Sequence, residues 1–222
     1  MNQITSNRNY YRVTPQGQVP VTILTTHFSP VLGALLQESD QSHCHFRIQR
    51  IITTEPFNLE GHENVTIQLL NPKKFLNKDN YIQTLKHSLV DESPEIIALI
   101  DTDAMHFSEI TQHFRGRIIH YYWQAPQNTQ SWLSFPLSSK RKSKNYQLII
   151  EFIGEPQKKH HPICYVDFNH KDQPTEAQAN SIACQAYTAI LDWIGDQRIV
   201  LDKGSVYFDG KVLPKTGMLY AL

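Results

Sequence analysis

The sequence is poor in cysteine and has no excess of charge of either sign. Cys44, Cys164 and Cys184 are the only three cysteines among 222 residues, and they lie far apart. Their odd number and wide spacing predict neither a disulfide framework nor a Cys-x-x-Cys metal site, and they favour a reducing compartment. Lys plus Arg and Asp plus Glu number 21 each. This balance argues against a nucleic-acid binder or a membrane-surface binder, because no net field attracts either partner.

Long apolar runs are missing as well. No stretch approaches ~18 consecutive apolar residues, so the sequence predicts no membrane-spanning helix. The opening stretch, MNQITSNRNYYRVTPQG, has no apolar run of the kind found in signal peptides. These absences favour a cytoplasmic protein. The length predicts one domain over residues 19–222, preceded by a polar tail over residues 1–18.

What the chain does contain is an alternation of strand and helix signals. Val19–Thr26 reads as a buried parallel strand, and Ser29-Pro30 predicts the cap and first position of a helix. Further strands are predicted at Phe46–Thr54, Asn64–Leu70, Glu95–Ile100, 117–123, Tyr146–Gly154 and Pro162–Phe168, with helices after Asn77, over Ser108–Phe114 and after Thr175. Arg198–Asp202 and Ser205–Asp209 predict a closing hairpin with its turn at Lys203-Gly204. The order indicates an α/β fold with a parallel sheet.

Two segments stand out against this alternation. Residues 127–145 are rich in Ser, Asn, Gln and Lys and are predicted to form a long flexible surface loop. The strand ends at 25–30, 101–107 and 120–126 are where a parallel α/β sheet places its ligands.

Three stretches of the chain resemble glycinamide ribonucleotide formyltransferase, the folate-dependent family of purine biosynthesis. The most specific is the C-terminal pair Tyr187–Arg198 and Asp209–Pro214 with Gly217, which matches the family's last helix and closing hairpin. Asn77–Leu99 and Phe114–Ile119 match the run toward the family's active-site strand. The resemblance implies a Rossmann-like, doubly wound, mostly parallel sheet with helices on both faces. It also implies 10-formyltetrahydrofolate as the formyl donor and a monomer or homodimer.

The family's catalytic positions hold different residues here. The family uses an asparagine and a histidine from one motif, and an aspartate from a later loop, to stabilise an oxyanion and move protons. Threading places His120, Tyr122 and Lys158 at these three positions. A tyrosine does not titrate near neutral pH as a histidine does, and a lysine reverses the charge of the carboxylate.

The two ligand loops of the family also differ. The glycine-rich phosphate loop reads Thr26-His27-Phe28-Ser29, followed by Pro30, which has no N–H group. The folate loop reads Ile100-Asp101-Thr102-Asp103-Ala104, where two carboxylates make a poor lining for an anionic folate tail. The changes at these four site elements argue against ordinary glycinamide ribonucleotide formylation.

Two functions stay open at the level of the sequence. The first is a catalytically silent paralogue that binds a small ligand or a protein partner. The second is an active folate-dependent transferase with an altered substrate and a site rebuilt around His120, Tyr122 and Asp101 or Asp103. The residues that would converge on a metal-binding or acid–base site, or else merely line a polar crevice, are Asp101, Asp103, His106, His120, Tyr122, Trp123, Glu151, Lys158 and His160. No metal site is predicted, because His43-Cys44-His45 on a strand offers at most two ligands on one side.

Overall fold

A central sheet with helices on both faces forms the body of the protein. The computed structural model describes residues 11–92, 95–101, 117–126, 145–153, 160–168 and 173–221. The elements in chain order are β1 Val19–Thr25, α1 Pro30–Ser39, β2 Phe46–Thr53, β3 Thr66–Leu69, a 3-10 turn Pro72–Lys74, α2 Lys78–Glu92, β4 Ile96–Ile100, β5 Arg117–Gln124, β6 Tyr146–Ile153, β7 His160–Phe168, α3 Glu176–Gly195, β8 Ile199–Asp202, β9 Ser205–Phe208, β10 Lys211–Val212 and β11 Met218–Leu219. The predicted helix at 108–114 and residues 127–144 of the loop predicted at 127–145 lie outside the described residues.

The sheet is mixed but mostly parallel, as predicted. Its order is β11-β7-β6-β5-β4-β1-β2-β3. β1 pairs in parallel with both β2 and β4, and β5 follows β4 in parallel. β6 is antiparallel to both β5 and β7. The chain therefore leaves β1 toward β2 on one side and returns as β4 on the other, which makes the β1–β4 boundary a topological switch point.

Each face of the sheet carries its own apolar core. Ile23, Ile100 and Ile119 belong to the first core together with α1 and α3, whereas Leu24 and Leu99 belong to the second core together with α2. Neighbouring strand residues point to opposite faces, so the continuous apolar strands bury side chains on both. The predicted doubly wound architecture is confirmed.

Side-chain caps start the three helices where the sequence predicts. Ser29 Oγ accepts from the Leu32 N–H, Asn77 Oδ1 accepts from the Asn80 N–H at 2.8 Å, and Thr175 forms a capping box with Gln178. A short polar side chain at this position satisfies one of the N–H groups that a helix leaves unbonded. Each cap joins residues that are close together in the sequence, which explains why the sequence predicts where the helices start.

Loss of the Ser29 cap is expected to weaken the domain by about 1 kcal/mol. Ser29→Ala removes the acceptor for the Leu32 N–H, and Ser29 is only 5% exposed, so water replaces it poorly. Urea unfolding followed by circular dichroism measures the change. Ser29→Gly is the control, because glycine at a cap costs only about a few tenths of a kcal/mol. Equal losses in the two variants would contradict the capping role.

Residues that precede the predicted domain boundary at Val19 pack against the body of the protein. Tyr11 is 2% exposed and packs in the first core, and Gln18 Nε2 donates to the Cys44 carbonyl at 3.0 Å. Residues 11–18 are therefore not part of a tail, although they were predicted as one. A single buried aromatic in a polar stretch has no periodicity that reveals it.

The C-terminal segment forms the predicted hairpin and then returns to the main sheet. β8 and β9 pair antiparallel, and Lys203 and Gly204 both have positive φ, as the turn between them requires. β11 then pairs in parallel with β7 at the edge of the large sheet. Among the described residues, no helix is long and apolar enough to cross a membrane.

Candidate functional site

The switch point is bridged by a hydrogen bond between the loops after β1 and β4. Thr26 Oγ1 donates to the Asp101 carbonyl at 3.0 Å and lies 2.8 Å from His27 Nδ1. Thr26 has one hydroxyl proton, and the carbonyl can only accept it. We therefore assign the second contact as His27 Nδ1–H donating to Thr26 Oγ1. The His27 side chain is exposed at the carboxyl end of β1.

Asp101 contacts the face of the sheet that α3 covers. Its carboxylate accepts a hydrogen bond from the Tyr121 hydroxyl at 3.0 Å, and its backbone is left-handed, with φ 48°. Burial, assisted by the charge of Asp101, raises the pKa of Tyr121 well above its ordinary value. Tyr121 in turn packs edge-on against the fully buried Tyr187 of α3, with ring centroids 4.9 Å apart. The tyrosine pair therefore anchors Asp101 from within the first core.

A second polar group lies on the other face of the sheet. His120 and Tyr122 alternate with Tyr121 on β5, and their rings stack with centroids 5.6 Å apart. Glu151 of β6 is directly opposite His120 in the antiparallel ladder and is 1% exposed. Burial first, and the nearby charge of Glu151 second, raise the pKa of Tyr122 above its ordinary value, so its phenol stays neutral at physiological pH.

These contacts place the site residues predicted from the sequence on two different faces of the sheet. His120 and Tyr122 come together, with Glu151 as the carboxylate beside them. The Asp101 carboxylate contacts Tyr121, on the opposite face of the sheet. Alternation along β5 decides this outcome. A site built around His120, Tyr122 and Asp101 or Asp103 stays a prediction, because Asp103 lies outside the described residues. The predicted sharing of a face by Tyr121 and Trp123 is confirmed, because both pack on the first core.

Several predicted site residues cannot be placed. Thr102, Asp103, Ala104, His106 and Lys158 lie outside the described residues. The role of Lys158 at the position of the family's catalytic aspartate, and that of residues 102–104 at the folate loop, stay predictions.

The segment that matches the family's phosphate loop lies at the start of α1 and caps its first turn. Pro30 has no N–H, Leu32 N–H donates to Ser29 Oγ at 3.3 Å, and Gly33 N–H donates to the Ser29 carbonyl. Val31 is fully buried. Anion sites at helix starts depend on N–H groups that are open to the ligand. The start of α1 therefore presents no such cradle.

Threonine hydroxyl groups donate hydrogen bonds to the backbone carbonyl groups of the loop before α1. The hydroxyls of Thr53 and Thr54 both donate to the Thr26 carbonyl, and Thr25 Oγ1 donates to the His27 carbonyl at 2.8 Å. Phe28 then covers the helix start, with its ring edge-on to Phe57 at 5.6 Å. These contacts fix the conformation of the loop that leads into α1.

Carboxylates contact both histidines of the His43-Cys44-His45 run. His45 Nδ1 lies 3.1 Å from Asp192 Oδ1 and His43 Nε2 lies 3.0 Å from Glu38. Cys44 packs inward as predicted, and burial raises the pKa of its thiol to about 12. No group of three or more His, Cys, Asp or Glu side chains with metal-binding geometry occurs in the described part of the chain.

The fold is similar to that of solved formyltransferases. The phosphoribosylglycinamide formyltransferase of Coxiella burnetii superposes with a TM-score of 0.70 at 16% identity, covering 92% of this chain and 100% of that one. Glycinamide ribonucleotide transformylase 1 of Symbiobacterium toebii gives 0.62 at 12% identity, over 86% and 94% of the two chains. A formyltetrahydrofolate deformylase of Burkholderia mallei gives 0.60 at 13% identity, over 87% and 70%. No family model and no curated protein matches the sequence.

The protein therefore has the formyltransferase fold, as the sequence resemblance implied. At these identities the similarity establishes the fold alone, because one fold carries several chemistries and the site decides between them.

Proposed function

We propose that this protein uses the formyltransferase fold without transferring a formyl group to glycinamide ribonucleotide. The crevice at the carboxyl ends of β1 and β4 would instead receive a ligand that carries no phosphate, or a protein partner. The closed start of α1 is the observation that carries the proposal, since Ser29, Pro30 and Phe28 occupy the place of an anion cradle. A doubly charged phosphate needs open N–H donors or cations to offset its desolvation, and the first turn of α1 offers neither, because Pro30 has no N–H and the N–H groups of Leu32 and Gly33 donate to Ser29.

A second candidate function is formyl transfer to an acceptor without phosphate, water included. One observation favours it: an imidazole, a neutral phenol and a buried carboxylate lie on one face of β5 and β6. These are the groups that general acid–base catalysis and oxyanion stabilisation require. The Burkholderia mallei protein, described as a formyltetrahydrofolate deformylase, has the same fold.

Turnover assays of the purified protein test both functions. With 10-formyltetrahydrofolate and glycinamide ribonucleotide, we expect no release of tetrahydrofolate beyond that seen without the ribonucleotide. The Coxiella burnetii formyltransferase serves as the positive control. Ribonucleotide-dependent turnover at ~1 s⁻¹ or faster, an ordinary enzyme rate, would contradict the principal proposal.

The same assay without ribonucleotide addresses the second candidate. Formate and tetrahydrofolate released in equal amounts, and lost in His120→Ala, would support transfer to water. Absence of both products would support binding of a ligand or of a protein partner as the function.

A further inference from the structure

A row of polar side chains crosses three neighbouring strands near the carboxyl end of β5. Gln124 of β5, Gln147 of β6 and Asp167 of β7 are directly opposed in the two antiparallel ladders, so they share one face of the sheet. The side chains that alternate with them, Leu148 and Val166 among them, pack in the first core. The row therefore lies on the face of the sheet that α3 does not cover.

Gln147, at the centre of the row, is a buried amide of which only one half is used. It is 1% exposed, and its Nε2 donates to Asp167 Oδ1. Among the residues that the structure describes, no donor reaches its Oε1. A buried acceptor without a donor is costly, and an interior strand position of this kind is ordinarily apolar, as Ile149 on the same face of β6 is. Packing alone does not explain an amide here, whereas a ligand that donates to Oε1 does.

Asp167 gives the row a negative charge beside this acceptor. In the described part of the chain its carboxylate forms no ion pair, and its side-chain hydrogen bond is the one from Gln147. Because that bond brings the amide and the carboxylate into contact, Gln147 Oε1 and Asp167 Oδ2 are two neighbouring acceptors, one neutral and one charged. Gln124 and Asp167, on either side of Gln147, are both partly exposed, so solvent reaches the row from both sides.

We propose that this row binds a ligand through a guanidinium group. A guanidinium is a planar cation that carries several N–H donors and no acceptor, so it can donate to the amide oxygen and to the carboxylate at once. Its charge offsets that of Asp167, and its donors supply the hydrogen bond that Gln147 lacks. The site is separate from the crevice at β1 and β4 and does not depend on the functions proposed above.

Titration of the wild-type protein with methylguanidinium tests the site directly, with the NMR signals of the Gln147 side-chain amide as the readout. We expect a saturable shift with a Kd of about 1 mM or tighter, which is within reach of so small a ligand. Methylurea is the matched ligand, because it has a similar shape and no charge. It should bind at least about 10-fold more weakly, since charge-assisted hydrogen bonds are the stronger ones. A shift that does not saturate, or equal binding of methylurea, would overturn the proposal.

Asp167→Asn tests the charge while keeping an acceptor for Gln147. Methylguanidinium should bind this variant at least about 10-fold more weakly than the wild type. Asp202→Asn, at a partly exposed carboxylate of β8, is the matched control and should leave the Kd unchanged. Equal affinity in Asp167→Asn and Asp202→Asn would contradict the role of Asp167.

Gln147→Leu separates ligand binding from a structural role. Leucine is of similar size and has no acceptor to satisfy, so we expect a Tm no lower than that of the wild type, together with at least about a 10-fold loss of methylguanidinium affinity. Binding is followed here through the backbone amide at position 147. A variant that loses stability and still binds would show that the amide serves the fold and not a ligand. The two wild-type titrations decide the question if a variant does not fold.

Discussion

Gly195→Ala is expected to destabilise the domain by about 3 kcal/mol or more. A Cβ at this position would lie 2.3 Å from the His45 carbonyl oxygen and 2.5 Å from its carbon. Both atoms belong to the backbone just before β2, so the helix and the strand must move apart. Alanine in a helix ordinarily gains up to about 1 kcal/mol over glycine. The clash outweighs that gain because overpacking against backbone costs about 1–3 kcal/mol, and more where nothing can yield.

Gly33→Ala is the matched control, since Gly33 is also a helical glycine. Its added Cβ would meet only the Phe28 side chain, at 3.3 Å, and Phe28 is 47% exposed and can shift. We expect a change between zero and a gain of about 1 kcal/mol. Urea unfolding followed by circular dichroism compares the two variants. A Gly195→Ala protein as stable as Gly33→Ala would contradict the close approach of α3 to His45.

Tyr187→Ala is expected to cost about 3–5 kcal/mol and to disturb the crevice as well. Tyr187 is fully buried on α3, and its hydroxyl lies 3.0 Å from the Ile119 carbonyl and 3.3 Å from that of Leu99. Truncation leaves a cavity and removes the ring against which Tyr121 packs. Tyr121 would then lose the support that directs its hydroxyl to Asp101.

Tyr187→Phe separates these two effects. It keeps the ring and removes the hydroxyl, so we expect a smaller loss of about 1–3 kcal/mol. Unfolding free energies of both variants measure the stability. A Tyr187→Ala protein no less stable than Tyr187→Phe would show that the ring contributes little to packing.

The helix caps and the hairpin turn of this fold can be predicted from the sequence, because each depends on contacts between residues a few positions apart. Ser29-Pro30, Asn77 and Thr175 mark helix starts through bonds to N–H groups two or three positions along. Lys203-Gly204 marks the hairpin through backbone conformations that favour glycine. The helical spacing in α3 likewise predicts a buried face that includes Ala183, Ile190 and Ile194.

The candidate site could be predicted only in part. Alternation on β5 predicts that His120 and Tyr122 share a face, and the altered Ser29-Pro30 stretch predicts a changed phosphate loop. The contact of Asp101 with Tyr121 depends on how the loop after β4 turns, and nothing in the neighbouring residues specifies it. The position of Glu151 opposite His120 depends on the register of β6 against β5.

The sequence by itself therefore determined the α/β class, the boundaries of most elements and the resemblance to the formyltransferase fold. The tertiary structure decided the burial of Tyr11, the contact of Asp101 with Tyr121 and the position of Glu151 opposite His120 in the strand register. The physical reason is the range of the interactions. Caps and turns are set by neighbours along the chain, whereas strand register and core packing are set by contacts between distant segments, and a shift of one residue exchanges the two faces of a strand.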